Sequence, residues 1–136
     1  MEQRAVRDPK SVAIVDDDEE VRNSLGTLLR SYGVAASAFT SAEAFLCAPD
    51  LSGFDCLVTD VFMPGGMSGL EMLEALRGSG CGLPAIVISA LDPERTRVLA
   101  MAKGADAFLA KPVDPDALMD CMRRVLAPRG GQRGSG

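Results

Sequence analysis

Three short apolar runs in this chain each stop on residues suited to phosphate chemistry. Val12-Ala13-Ile14-Val15 leads into Asp16-Asp17-Asp18, Cys56-Leu57-Val58-Thr59 into Asp60, and Ala105 to Ala110 into Lys111-Pro112. Short continuous apolar runs are the pattern of strands buried on both faces, as in a parallel sheet. Neighbouring parallel strands bring their carboxyl ends to one edge of the sheet, where ligand sites of open α/β folds lie. A cluster of carboxylates would then face a single ammonium, which is a site for a hard cation and a phosphoryl group.

Between these runs the pattern switches to helical periodicity. Strand one is predicted over Ser11–Val15, followed by helix one with Val21, Leu25, Leu28, Leu29 and Tyr32 on one stripe and Gly33 as its stop. Val34–Phe39 reads as strand two, and Ser41 precedes a short helix through Leu46 that Pro49 ends. Strand three is predicted over Phe54–Thr59, helix three over Gly69–Leu76, strand four over Pro84–Ile88, helix four over Pro93–Ala102 and strand five over Ala105–Leu109. Asp114 and Pro115 open helix five, with Leu118, Met122, Val125 and Leu126 as its buried stripe. Strands alternating with helices imply an open α/β sheet with right-handed crossovers. It would occupy residues 10–127, with flexible ends at 1–9 and 128–136.

A length of 136 residues suits one domain, and 47% hydrophobic residues suffice for its core. The chain contains no histidine, which excludes Ser-His-Asp and Cys-His catalysis and His-ligated zinc. Any histidine in a phosphate relay must come from a partner. Cys47, Cys56, Cys81 and Cys121 lack metal-ligand spacing and read as reduced, buried thiols. The methionines Met72, Met101, Met119 and Met122 read as packing. No run reaches the ~20 apolar residues of a membrane span, and Met1 to Lys10 has no signal-peptide core, so the expected location is the cytoplasm. A net charge of -5 argues against direct nucleic-acid binding.

The ordered set Ile14-Val15-Asp16-Asp17, Thr59-Asp60-Val61-Phe62-Met63-Pro64, Ser68-Gly69-Leu70-Glu71, Ile88-Ser89-Ala90 and Lys111-Pro112 resembles the receiver domain of bacterial two-component response regulators. The resemblance covers about Lys10 to Ala127, and around Thr59–Pro64 it leans toward receivers that precede a LuxR-type DNA-binding domain. It implies a flavodoxin-like (βα)5 fold with strand order 2-1-3-4-5.

It also implies roles. Asp60 would be the phosphoacceptor, attacking phosphorus to form an aspartyl phosphate. Asp17, Asp60 and the backbone carbonyl of Phe62 would hold Mg2+, with Asp16 acting through a metal-bound water or tuning the cluster. Lys111 would pair with Asp60 at rest and with a phosphoryl oxygen afterwards. Ser89 would donate its hydroxyl to another oxygen, and its movement would let Phe108 turn inward and repack the face of helix four, strand five and helix five. Such a domain catalyses only its own phosphorylation and dephosphorylation, so it is not counted an enzyme. The implied partners are a sensor histidine kinase or histidine phosphotransfer protein, with a homodimer through helices four and five.

Several residues admit plainer readings. Asp18 reads as an N-cap and not a ligand. Ser89 could cap its strand, Lys111-Pro112 could be an ordinary turn instead of the cis bond the family suggests, and Phe108 could be simple core. Two departures from the family stand out. The loop Met63-Pro64-Gly65-Gly66-Met67-Ser68-Gly69 is one residue longer than usual. Phe62 and Leu91 are apolar where polar residues can orient an attacking water, which predicts slow self-dephosphorylation. Two other functions compete: a constitutive interaction module with no phosphorylation cycle, and an aspartyl phosphatase resembling the haloacid dehalogenases. The latter would need a second aspartate where Phe62 stands. The ten residues after Leu126 are too few for a helix-turn-helix output unit, so the expectation is a receiver unit that is either free-standing or a piece of a longer regulator.

Overall fold

A computed structural model describes residues 10–126. The expected flexible ends, 1–9 and 128–136, and Ala127 lie outside the described residues. The elements alternate without exception: β1 (Ser11–Val15), α1 (Glu19–Ser31), β2 (Ala35–Phe39), α2 (Ala42–Leu46), β3 (Cys56–Asp60), α3 (Gly69–Gly78), β4 (Ala85–Ser89), α4 (Pro93–Ala102), β5 (Ala107–Ala110) and α5 (Pro115–Leu126). The strands form one parallel sheet in the order β2-β1-β3-β4-β5, the flavodoxin-like arrangement expected.

Side-chain alternation along each strand divides the core in two. Val12, Ile14, Cys56, Val58, Ile86 and Ile88 point to one face and pack with Leu25 and Leu29 of α1 and Leu118, Met119, Cys121 and Met122 of α5. Ala13, Val15, Leu57, Ala85 and Val87 point to the other and pack with Phe45 of α2, Met72, Leu73 and Leu76 of α3 and Ala100 of α4. On this second face Phe45 meets the Phe39 ring edge-on at 5.3 Å, and Phe54 closes the aromatic group at 6.0 Å from Phe45.

The helix starts are written in the sequence. Asp18, Ser41, Ser68 and Asp114 each accept a backbone N–H in the first turn of the helix that follows. Ser68 and Glu71 complete a reciprocal capping box. At the opposite edge of the sheet, the Asp55 carboxylate accepts the amides of Lys10 and Ser11 and so ties the starts of β1 and β3. Asp106 does the same for Ala85 at the start of β4 while pairing with Arg77.

Several expectations need correction. β3 begins at Cys56 and not Phe54, because Leu51–Gly53 forms a 3-10 turn whose last bond runs from Phe54 N to Leu51 O. β5 begins at Ala107 and not Ala105, whose amide instead closes the end of α4 on Ala100 O. Val34 N likewise bonds back to Leu29 O, so β2 starts one residue later than predicted. Tyr32 is the C-cap of α1 and exposed, not part of the buried stripe. Met101 is 45% exposed, whereas Met72, Met119 and Met122 are buried. Val125 and Leu126 are only half-buried; Met119 and Cys121 share the buried face of α5 with Leu118 and Met122. All four cysteines are free, and only Cys56 and Cys121 are buried.

Candidate functional site

The carboxyl ends of β1, β3, β4 and β5 carry Asp16, Asp60, Ser89 and Lys111 to one edge of the sheet. Register fixes their heights: Val15 lies beside Thr59, Asp60 beside Ile88, and Ser89 beside Ala110. Ligand oxygens of Asp16, Asp17 and Asp60 fall within 4.8 Å of one another. Asp16 and Asp60 are buried while Asp17 is exposed, so the cluster has an inner wall and an open side.

Asp16 is held from every direction. One carboxylate oxygen accepts Asp18 N–H at 2.9 Å and the other accepts Lys111 Nζ at 3.1 Å. Its amide donates to Phe39 O, and its carbonyl accepts the Arg22 guanidinium at 2.9 Å. Lys111 Nζ lies 3.4 Å from Asp60 Oδ1, so the resting ammonium bridges two carboxylates and sits nearer Asp16 than the expected Asp60 partner. The Lys111–Pro112 bond is cis. Lys111 N–H donates to Ser89 O at 2.9 Å, joining the loop to β4.

The electrostatics follow from this crowding. Burial and the neighbouring Asp16 charge raise the Asp60 pKa above the ordinary aspartate value, against the opposing pull of Lys111 and the Val61 amide. Burial works against the Lys111 ammonium, but Asp60 and Asp16 outweigh it and lift its pKa above that of an ordinary lysine. Two carboxylates sharing one ammonium, with a third beside them, leave uncompensated negative charge. An all-oxygen donor set with this charge suits a hard divalent cation such as Mg2+, which favours oxygen ligands and retains waters where the protein supplies few. Asp17 and Asp60 have the freer carboxylates, and Asp16 already spends both oxygens within the protein.

Ser89 is buried, and its Oγ accepts Leu91 N–H at 3.2 Å. Among the described residues its hydroxyl proton has no acceptor, so the donor is unspent. Phe108 is half-buried and packs on the core beside α3 and α4. Phe62 and Leu91 are both 57% exposed and flank the site as apolar rims. Asp18 is the N-cap of α1, as its plainer reading held.

Two contributions were not legible beforehand. Gly69 opens α3 directly against β3, where the methyl of any other residue would collide with the Asp60 carbonyl oxygen. That same carbonyl accepts the Thr59 hydroxyl at 2.9 Å, so the backbone of Asp60 is fixed by its predecessor and by α3. Beside Lys111, an apolar groove runs between α1 and the Pro112–Pro115 loop, lined by Val21, Leu25, Leu28, Pro112 and Val113. No helix of the described residues is long and apolar enough to cross a membrane.

Comparison with known proteins agrees with this geometry. Residues 12–123 match the family model of the response regulator receiver domain. The transcriptional regulatory protein FixJ of Azorhizobium caulinodans is 44% identical over 115 residues, 85% of this chain and 54% of FixJ. The sensory transduction protein RegX3 of Mycobacterium bovis is 36% identical over 121 residues, 89% of this chain and 52% of RegX3. The chain thus spans about half the length of these curated relatives. The crystal structure of FixJ-N superposes with a TM-score of 0.78 at 40% identity, covering 86% of this chain and 93% of that one. The response regulator StyR does so at 0.80 and 38%, covering 93% and 64%.

Proposed function

Since the chain belongs to the response regulator receiver domain family of two-component systems, we propose that it is a switch driven by phosphorylation of Asp60. The observation that carries this reading is the meeting of Asp16, Asp17, Asp60 and Lys111, from three distant stretches of sequence, around the end of β3. The donor is phosphohistidine on a sensor kinase or phosphotransfer protein, since this chain has no histidine of its own. The Asp60 carboxylate oxygen bonds to phosphorus as the P–N bond to the partner's imidazole breaks, and the imidazole leaves with the electron pair.

Asp17, Asp60 and the Phe62 carbonyl would hold Mg2+, which supplies charge neutralisation at the phosphoryl oxygens. Lys111 then exchanges Asp60 for a phosphoryl oxygen, and Asp16 keeps it oriented during the exchange. Ser89 gives its unspent hydroxyl proton to another phosphoryl oxygen, surrendering the Leu91 amide, and Phe108 turns into the space left. The receiver unit runs over 10–127 and acts in the cytoplasm as a signalling domain, not as a turnover enzyme. The groove beside Lys111 offers an approaching partner an apolar footing near Asp60. Val98, Leu99 and Met101 leave α4 an exposed apolar face suited to a homodimer through α4 and α5. The kinship with FixJ and RegX3, named as transcriptional regulatory and sensory transduction proteins, favours service in a transcriptional regulator.

Incubation with acetyl phosphate and Mg2+, followed by intact mass measurement, tests the reading. Wild type is expected to gain one phosphoryl group and Asp60→Asn none. An adduct on both proteins, or on neither, removes Asp60 as acceptor and leaves the constitutive interaction module.

A further inference from the structure

The loop joining β3 to α3 is the part of the site the sheet does not hold. It leaves β3 after Asp60 and rejoins the fold at Gly69, whose amide donates to Val61 O at 2.9 Å and closes the base. Met63 is buried and anchors the near arm. The far arm contains Gly65 and Gly66, the least restrained pair of residues a loop can carry, and Gly65 takes a φ of 92°. Within the loop that arm has only the turn at Pro64–Gly65, and beyond the glycines Met67 is partly buried against the core.

A polar restraint on its backbone comes from α2. Glu43 projects from this helix, and its Oε2 accepts Met67 N–H at 2.7 Å. The backbone lies so close that a Cβ on Gly66 would come 2.8 Å from the same oxygen. A side chain at Gly66 would therefore displace the carboxylate, the flexible end of Glu43, from its seat against the loop. Its platform is rigid: Ala42 and Phe45 on either side of Glu43 are fully buried, and Phe45 is locked edge-on against Phe39. The Met67 bond also lowers the Glu43 pKa, so the acceptor stays ionised near neutral pH.

We propose that Glu43 is a positioning residue of the phosphoacceptor site, pinning the β3–α3 loop through Met67 and thereby holding Phe62 and Met63 in place beside Asp60. This rests on the proposed function, in which the Phe62 carbonyl holds Mg2+. The bond is exposed, so its contribution to global stability is small; its effect falls on how much of the time the loop keeps the arrangement that the cation needs. Glu43 touches neither the reacting atoms nor the other carboxylates of the cluster.

The test uses the full chain and three variants. Glu43→Ala deletes the acceptor, Gly66→Ala pushes the carboxylate off its seat from the loop side, and Glu43→Gln keeps an oxygen able to accept Met67 N–H. Isothermal titration with Mg2+ is expected to show affinity reduced roughly threefold to tenfold in Glu43→Ala and Gly66→Ala, at or below the ~10–100-fold typical of groups bonded directly to a ligand. Glu43→Gln should restore most of the loss. Without metal, the Met67 amide should exchange faster in Glu43→Ala while the melting temperature stays at the wild-type value. Unchanged Met67 exchange, wild-type Mg2+ affinity in Glu43→Ala, or a fall in melting temperature large enough to account for the weaker binding would each overturn the proposal. Failure of wild type itself to bind Mg2+ would overturn the functional reading beneath it, a result distinct from any of these.

Discussion

Asp60 is ionised against resistance, and that resistance can be measured. Its carboxyl titrates higher in the folded chain than in the unfolded one, because burial and Asp16 outweigh Lys111. Folding therefore takes up a proton between the ordinary aspartate value, about 3.9, and the raised one, and stability falls as pH rises through that interval. Asp60→Asn removes the penalty. In metal-free buffer at neutral pH the variant should be more stable by about 1 kcal/mol, or roughly 4 °C in melting temperature. The gain should fade as pH drops below the interval, where wild type is protonated too. Calorimetry at neutral and acid pH in the presence of a chelator checks this; a gain equal at both would contradict it. The apolar rims carry a second expectation. With Phe62 and Leu91 unable to orient a water, phosphorylated Asp60 should persist for minutes or longer in Mg2+, and Phe62→Asn should shorten its life. A time course of intact mass after removal of acetyl phosphate reads both, and loss within seconds in wild type would refute the first.

At the scale of elements, the approach of α3 to β3 is the tightest joint of the site. Gly69→Ala places a methyl against the Asp60 carbonyl, a backbone atom that cannot swing aside. The expected cost is about 3 kcal/mol, at the upper end of overpacking, with slower labelling of Asp60 by acetyl phosphate. Denaturant unfolding measures the first effect and mass labelling the second; a stability within 1 kcal/mol of wild type, roughly the threshold of a tolerated core change, would contradict it. This joint also shows what sequence reading can reach. The strand cores, the helix periodicities, the caps at Asp18 and Asp114, and the convergence of Asp16, Asp17, Asp60, Ser89 and Lys111 were all legible, since each is carried by local pattern or by strand-end placement. Glu43 and Gly69 were not. Their roles depend on contacts between elements distant in sequence, and an exposed glutamate or a glycine at a helix start carries no local sign of them. The strand boundaries at Cys56 and Ala107 were missed because Phe54 and Ala105 look like strand but spend their amides closing the preceding turns.

For the whole molecule, the cation site and the fold are linked. A ligand that binds only the folded chain stabilises it by RT ln(1 + [L]/Kd), about 1.4 kcal/mol at ten times Kd. Mg2+ at that level should raise the melting temperature by roughly 5 °C, and Asp17→Asn should abolish most of the rise. Acidification should weaken it as well, because Asp60 must lose its proton to serve as a ligand. Thermal scans across Mg2+ concentrations at two pH values check both; an equal rise in Asp17→Asn would exclude that carboxylate as a ligand.

The helices are unequally secured. Four begin on a side chain that caps them, but α4 starts from Asp92, in the left-handed region at φ 39° and with no side-chain cap. It buries only Thr96 and Ala100, and its first turn is moored by the Thr96 hydroxyl to Leu91 O, two residues beyond Ser89. A strained entry of this kind costs on the order of 1–3 kcal/mol, so a shifted α4 gives back some of what it loses. On the proposed switch, a rearrangement at the Ser89 hydroxyl would travel down a tether of two residues to the segment with the shallowest footing, and the outer surface there would become the natural dial on which phosphorylation of Asp60 is displayed.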